Sequence, residues 1–307
     1  RRNMKNNNFL KNLIDRALEK KASIILPETN DKRINDAIQE LKKLGFNILD
    51  VNDFSEDDKY IEYILQKKFS ENWPKSEIVK YLQTPLNKAM AILACNEVDA
   101  VVAGASTSTA NVLRSALRIV GIDPNYKWVS SSFLMLSPNQ ENIYTYSDCA
   151  VIPEPNPEQL ALIAKASSDL HYLITNQEPK VAFLSFSTNQ SASHYRIDRV
   201  QQAVKIFARK FPEIIHEGEI QFDAAISSSV AKRKNKQTKL NGKANVFIFP
   251  NLDAGNISYK ITRQLAGYDA LGPLLQGLSL PVHDLSRSCS VNDIINVVAI
   301  ASIQKPI

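Results

Sequence analysis

The chain has 307 residues, 44% of them hydrophobic and 22% charged, and a formal net charge of +5. That length suits about two domains with ample core, and the composition is the one expected of a soluble globular protein. The charge is too mild for a nucleic-acid footprint, and no 18-residue apolar run is present to cross a membrane, so neither nucleic acid nor membrane is expected as a partner. In chain order, Leu10, Leu13, Ile14 and Leu18 recur at helical spacing and predict a helix over 9–22. Residues 23–26 read as a short buried strand stopped by Pro27. Asp31 caps a helix over 34–44, with Ile34, Ala37, Ile38 and Leu41 inward, and Gly45 ends it before a strand at 47–51. This strand–helix–strand rhythm predicts a parallel α/β sheet. Residues 52–80 are polar and weakly patterned, and a helix over 86–95 leads to a central strand at 100–104. A hydroxyl-rich turn then opens a helix over 110–120, with Thr109 as its expected cap and Arg114 and Arg118 one turn apart on a common face.

The next stretch predicts strands at 128–136 and 143–151, a proline-rich breaker at 153–157 and a helix over 158–171. A buried strand at 181–187 ends in a second hydroxyl-rich turn, 187–193, and a helix over 200–211 follows. A further element starts at Asp223, a strand occupies 245–250, a loop 251–256 and a helix 257–265, and Gly272-Pro273 marks a turn. Finally, an extended segment around 281–285 runs into a polar turn that opens a strongly apolar helix, 291–303; Ser290 and Asp293 stand at capping-box spacing. No internal repeat is present.

Three segments thus pair a strand with a turn rich in Ser, Thr, Asn or Asp, and ligands of open α/β sheets gather at the carboxyl ends of strands. The turns supply hydroxyls, amides and arginines, which suits an oxygen-rich anion. The 104–109 turn and the helix after it would make a phosphate cradle, although the Walker lysine pattern and G-x-G-x-x-G are both missing. Ser286, Arg287, Cys289 and Asp293 cluster at one helix N-terminus, where free N–H groups favour anions. The plainer readings stay open: an ordinary strand-to-helix turn, a capped core helix and a surface arginine. The histidines (His171, His194, His216, His283) are scattered and read as structural or surface residues, and no spacing suggests zinc. Cys95, Cys149 and Cys289 fit neither a metal motif nor a disulfide framework, so a reducing, cytoplasmic compartment is expected. The basic run 232–236 reads as a solvated loop, and segment 1–8 lacks the apolar core of a secretory signal.

The runs 281–287 (PVHDLSR), 249–260 (FPNLDAGNISYK) and 272–277 (GPLLQG) resemble the C-terminal signature of the phosphate acetyltransferases, or phosphotransacetylases. Residues 242–245, 186–192 and 147–150 are similar to further blocks of that family, as are Gly104-Ala105 with Thr109, Ala110 and Arg114, and Pro27-Glu28 with Asp31 and Arg33. The resemblance covers nearly the whole chain, in order. It implies two three-layer α/β domains with an interdomain cleft, arranged as in isocitrate and isopropylmalate dehydrogenases. Domain 1 would comprise 1–125 plus 275–307 and domain 2 would comprise 126–274, with homodimers usual. It implies the reaction acetyl-CoA + phosphate ⇌ CoA + acetyl phosphate, without metal or redox cofactor, CoA being a substrate. Asp293 falls on the family's base for the CoA thiol, Arg287 and Ser286 on groups that hold phosphate or stabilise the transition state, and Arg114 on a second phosphate-binding arginine. Ser106, Thr107, Thr109, Ser187, Thr188, Ser191, Asn256, Tyr259 and Lys260 complete the expected phosphate and CoA contacts. The chain departs from the family pattern at Ser288 and at Asn189-Gln190, where Gly and Lys-Gly are usual. Lys67 and Lys68 stand near a position where many members carry arginine, and a lysine lacks the bidentate fork.

The chemistry is coherent on its own terms. A thiol of pKa about 8.5 is a poor nucleophile until a carboxylate accepts its proton. Arginines suit a departing phosphate because a guanidinium grips two oxygens at once. Ser286 has no adjacent base in sequence and reads as a hydrogen-bond donor rather than an acyl carrier. An acyl-cysteine on Cys289 is the minor alternative. Rival readings are a phosphate butyryltransferase, a non-catalytic acyl-CoA-binding regulatory module, and a dehydrogenase. No fused partner domain is expected, which disfavours the module, and the dinucleotide fingerprint of a dehydrogenase is absent.

Overall fold

The computed structural model describes residues 9–305, so the signal-peptide reading of 1–8 lies outside the described residues. The described chain divides into two compact units: a continuous one of Trp128–Gln276 and a discontinuous one made of 9–127 with 277–305. Each carries its own sheet.

The discontinuous unit begins with α1 (Phe9–Glu19), β1 (Ser23–Ile25), α2 (Lys32–Leu44) and β2 (Asn47–Leu49). Asp31 caps α2 by accepting from Arg33 N at 2.9 Å, and Gly45 stops it at φ +100°. The weakly patterned stretch is helical: α3 (Asp57–Leu65) and α4 (Lys75–Leu82) are polar outside but bury Tyr60, Ile61 and Ile64, and Ile78 and Leu82. Such short apolar sides carry little periodic signal. α5 (Pro85–Ala94) and β3 (Ala100–Ala103) follow, then α6 (Thr109–Ser115), which continues as a π-helical turn, Ala116–Val120. Its cap is Ser108 rather than Thr109: Asn111 N donates to Ser108 Oγ at 3.3 Å.

The continuous unit runs β4 (Ser130–Leu136), β5 (Ile143–Ser147), α7 (Pro157–Thr175), β6 (Lys180–Leu184), α8 (Tyr195–Lys210), β7 (Ile215–Ile220), α9 (Phe222–Ile226), α10 (Ser228–Lys234), β8 (Val246–Ile248), α11 (Leu252–Ala266) and β9 (Asp269–Gln276). Its sheet has the order β7-β6-β8-β5-β4-β9, parallel from β7 to β5 and antiparallel from β5 to β9. Period-2 alternation splits the core. Val181, Phe183, Val246 and Ile248 face α7 and α8, while Ala182, Leu184 and Phe247 join Phe133, Tyr146 and Leu240 on the opposite face. Two sequence expectations are corrected here, and one strand is added. β7 was not foreseen, because Ile215–Ile220 interleaves His and two Glu. The expected loop 251–256 is the first turn and a half of α11, capped by Asn251, which accepts from Ala254 N at 2.9 Å. Gly272-Pro273 lies inside β9 rather than in a turn; β9 is an edge strand whose register shifts there, the setting in which a strand tolerates proline.

The chain then returns to the first unit with β10 (Val282–Asp284) and α12 (Val291–Ile303). β10 pairs with β3, giving an all-parallel sheet of order β10-β3-β1-β2. α12 packs on β3, β1, α1 and α2, and every residue from Ile294 to Ile303 is buried, as expected of a helix apolar on all sides. No helix among the described residues is long and apolar enough to cross a membrane.

Candidate active site

In the discontinuous unit the parallel strands β1, β3 and β10 end side by side, and the chain leaves each of them through a polar segment. Glu28, just beyond β1, reaches the turn after β3. Its Oε2 accepts from the backbone N–H groups of Gly104 and Ala105 (2.8 and 2.7 Å), and its Oε1 from those of Ser106 and Thr107 (3.1 and 2.6 Å) and from Ser106 Oγ (3.0 Å). A run of convergent N–H groups is an anion nest; here the anion is the protein's own carboxylate. The backbone of 104–107 and the Ser106 hydroxyl are therefore taken up internally.

Arg33 holds the next layer. Asp31 grips its guanidinium (Nη2–Oδ2 2.7 Å, Nε–Oδ1 3.1 Å), which keeps the Asp31 carboxyl below its usual range. The same guanidinium donates to the carbonyls of Ala105 (2.8 Å), Arg287 (2.7 Å) and Cys289 (3.1 Å). One side chain thus fixes the turn after β3 and the segment after β10. Asp284, at the end of β10, is fully buried; it accepts from Thr109 Oγ1 at 2.5 Å through Oδ2, and its Oδ1 has no hydrogen-bond partner among the described residues. Burial, seconded by the nearby Glu28 charge, raises its carboxyl to about 7. Gly104 (φ +109°) is required beside it: a Cβ there would strike Asp284 Oδ1 and come within 2.7 Å of Leu285 N.

The segment so anchored displays the expected residues. Ser286 is half-buried, with its hydroxyl 2.9 Å from Ser288 Oγ. Arg287 has its carbonyl held by Arg33 while its guanidinium is exposed. Asp293 completes both halves of the capping box, with Ser290 N donating to its Oδ2 (2.9 Å) and its own N–H donating to Ser290 Oγ (3.2 Å). The Cys289 thiol is buried and pushed up to about 11, although Arg33 pulls the other way. Beside α6, Thr107, Asn111, Arg114, Ser115 and Arg118 line a recess of about 400 Å³ whose other walls are Tyr81, Thr84, Leu86 and Asn87. Arg114 Nη1 donates to Asn111 Oδ1 at 2.8 Å, and Arg118 lies over the Phe69 ring at 5.5 Å. Lys67 sits over the Tyr63 ring at 4.2 Å.

The continuous unit holds the remaining expected residues. Ser187 Oγ donates to Glu219 Oε1 (3.0 Å) and lies 3.2 Å from Ser191 Oγ, and Thr188 Oγ1 donates to Gln221 Oε1 at 3.2 Å. Gln190 N also donates to Glu219 Oε1 (2.6 Å), so the polar turn after β6 is wired to the end of β7. On α11, Asn256 Nδ2 donates to Cys149 O (3.0 Å), Tyr259 stacks on Phe133 with centroids 4.0 Å apart, and Lys260 is exposed beside the Tyr259 ring.

Comparison with known proteins decides the family. The sequence profile of the phosphate acetyl/butaryl transferases matches residues 39–302. The phosphate acetyltransferase of Acetivibrio thermocellus is 36% identical over 324 aligned positions, covering 96% of this chain and 98% of that one. Among solved structures, a phosphotransacetylase from Streptococcus pyogenes superposes with a TM-score of 0.88 at 32% identity, covering 97% of this chain and 98% of the other. The EutD phosphotransacetylase from Staphylococcus aureus gives 0.85 at 32% identity, covering 97% and 99%. The chain belongs to the phosphate acetyl/butaryl transferase family. Within this family member, the groups that sequence reasoning passed over are the supports. Glu28 and Arg33 were noted only as family blocks, and Asp284, Glu219 and Arg118 were given no role. A carboxylate placed at or just past a strand end, Asp284 closing β10 and Glu28 beyond β1, was the one readable signal.

Proposed function

We propose that this chain is a phosphate acetyltransferase that moves an acetyl group reversibly between CoA and phosphate. In the direction of acetyl-CoA synthesis, the CoA sulfur attacks the carbonyl carbon of acetyl phosphate. The S–C bond forms, the C–O bond to phosphorus breaks, the thiol proton passes to Asp293, and phosphate departs. Arg287 takes the charge growing on the leaving phosphate, Ser286 donates a hydrogen bond to the reacting oxygens, and Arg114 holds phosphate from its recess. Preorganised charge of this kind is typically worth several kcal/mol in the transition state. Thr107, Thr109, Ser187, Thr188, Ser191, Asn256, Tyr259 and Lys260 are proposed as further CoA and phosphate contacts or their supports.

The observation that carries the reading is the segment 286–293. It presents a hydroxyl, an exposed guanidinium and a carboxylate at one helix start, on a backbone that Arg33 holds from the first turn of α2. Direct thiolate attack is favoured over an acyl-cysteine because the Cys289 thiol is buried and raised to about 11, where little thiolate exists at neutral pH. The reading needs neither a metal nor a redox cofactor and places the reaction in cytoplasmic acetate metabolism.

We propose a homodimer as well. Ile257, Ile261 and Leu265 recur at i, i+4 and i+8 along α11 and are 55%, 52% and 84% exposed, an apolar stripe suited to a second copy. The function is tested by CoA-dependent consumption of acetyl phosphate, with butyryl phosphate in parallel. Acetyl phosphate is expected to give the higher kcat/KM; a clear butyryl preference would move the chain to the butyryl branch, and no turnover of either would refute the enzyme reading.

A further inference from the structure

The continuous unit carries a second polar recess at the far end of its sheet. The turn of Ser187–Ser191 lies beyond the C-terminal end of β6, whereas Lys180 and Ile215 open β6 and β7, and Lys243 stands just before β8. At that N-terminal edge, Lys180, Lys232, Lys239 and Lys243 converge with Ser228 and Asn241 on a pocket of about 460 Å³. Ligands of open sheets are expected at the opposite edge, so the proposed reaction makes no use of this pocket.

Other hydrogen bonds shape the pocket, and its ammonium groups are left over. Glu217 pins the loop before β8 by accepting from Thr238 Oγ1 (2.7 Å), Lys239 N (3.1 Å), Leu240 N (3.2 Å) and Asn235 Nδ2 (2.8 Å). Ser228 Oγ donates to Asn241 O at 2.6 Å. Gly242 (φ +68°) lets the chain pass against Ser227 and Ser228, whose backbone a Cβ would strike. Asn245 ties the start of β6 through Lys180 N (2.6 Å to Oδ1) and Glu178 O (3.0 Å from Nδ2). None of the four ammonium groups has an ion pair among the described residues, whereas Lys234 in the same region is paired with Asp223 at 2.8 Å. Glu217, the β7 carboxylate that pins this loop, is occupied by N–H and hydroxyl donors.

We propose that this pocket binds a small ligand carrying two or more phosphate groups. Four lysines supply charge for two phosphates, and lysine serves phosphate as a mobile point charge. The volume lies within the range of small-molecule pockets. An adjoining recess of about 600 Å³ shares Lys180 and Lys243 but adds Glu141, Glu178 and Tyr144, so it suits the uncharged body of such a ligand rather than more phosphate.

The test is calorimetric titration of the full chain with inorganic tripolyphosphate at about 0.1 M salt, where distant surface charges are screened. Saturable binding is expected to weaken about tenfold or more in Lys232→Ala/Lys239→Ala, and to persist in Arg287→Ala and with saturating CoA present. The double variant should keep its basal acetyl-transfer rate and Tm, since both lysines are exposed and make no ion pair. Absence of saturable binding, binding unaffected by the double variant, or binding lost in Arg287→Ala would each overturn the proposal. Tighter binding of a single-stranded RNA through the same lysines would replace it with a nucleic-acid surface.

Discussion

Gln190 has φ +66° and follows Asn189 at +51°, in a turn where the resemblance puts glycine at the second position. A left-handed backbone costs a residue with a Cβ roughly 1–2 kcal/mol. The hydrogen bond to Glu219 comes from Gln190 N, so it survives truncation of the side chain. Gln190→Gly should therefore raise stability by about 1 kcal/mol in urea unfolding; a loss would mean that the side chain contributes more than the backbone strain costs. Ser288, the other departure from glycine, is not in the left-handed region, so a side chain there is accommodated without strain. Asp284 gives a pH signature. Its carboxyl titrates near 7 when folded, against about 4 when unfolded, so the folded state binds the extra proton between those values. Its contribution to stability is thus present below about pH 4 and is lost as pH rises towards 7. The buried His171 and His283, both lowered to about 4, act with the opposite sign over much of that window, since their neutral forms are favoured when folded. The informative quantity is variant minus wild type: Asp284→Asn should gain stability relative to wild type from pH 4 to 7, and a constant difference would place the titration elsewhere.

At the scale of elements, the turn after β3 is a nest closed by Glu28. Glu28→Gln puts an amide NH₂ among N–H donors, leaving at least one buried donor without an acceptor. Each such loss costs about 1–3 kcal/mol, so a drop of about 2–4 kcal/mol in unfolding free energy, with a large loss of acetyl transfer, is expected; wild-type stability would mean that the turn re-forms its bonds without the carboxylate. The regular parts of both units were legible because caps and periodicity agree: Asp31 and Gly45 bound α2, and Ser290 with Asp293 opens α12. α3, α4 and β7 were not, because their buried sides are short and their outer faces charged, so local pattern yields to tertiary packing. α11 was begun too late because Asn251 followed by Leu-Asp-Ala-Gly reads as loop chemistry until the Ala254 N–H is seen on the Asn251 side chain. Around the site, the displayed residues were legible through their motif. Their supports were not, since Glu28, Arg33 and Asp284 act across β1, β3 and β10 and share no local spacing.

At the scale of the molecule, the exposed stripe on α11 predicts self-association. Ile261→Lys/Leu265→Lys should convert a dimer to a monomer in sedimentation equilibrium while leaving the fold intact, because neither residue is buried in the chain itself; a wild type that sediments as a monomer, or a dimer untouched by the pair, would remove α11 from the interface. The central claim is that the capped start of α12 performs proton transfer as well as helix capping. Asp293→Asn tests it most directly. Asn keeps an acceptor for Ser290 N, so stability should fall by about 1 kcal/mol or less. Loss of the proton acceptor should lower kcat on the order of 10²–10⁴-fold, with far smaller changes in KM for CoA and acetyl phosphate and partial recovery at higher pH, where CoA ionises in solution. A variant with near-wild-type kcat and a markedly lower Tm would contradict the account and leave Asp293 as a cap alone.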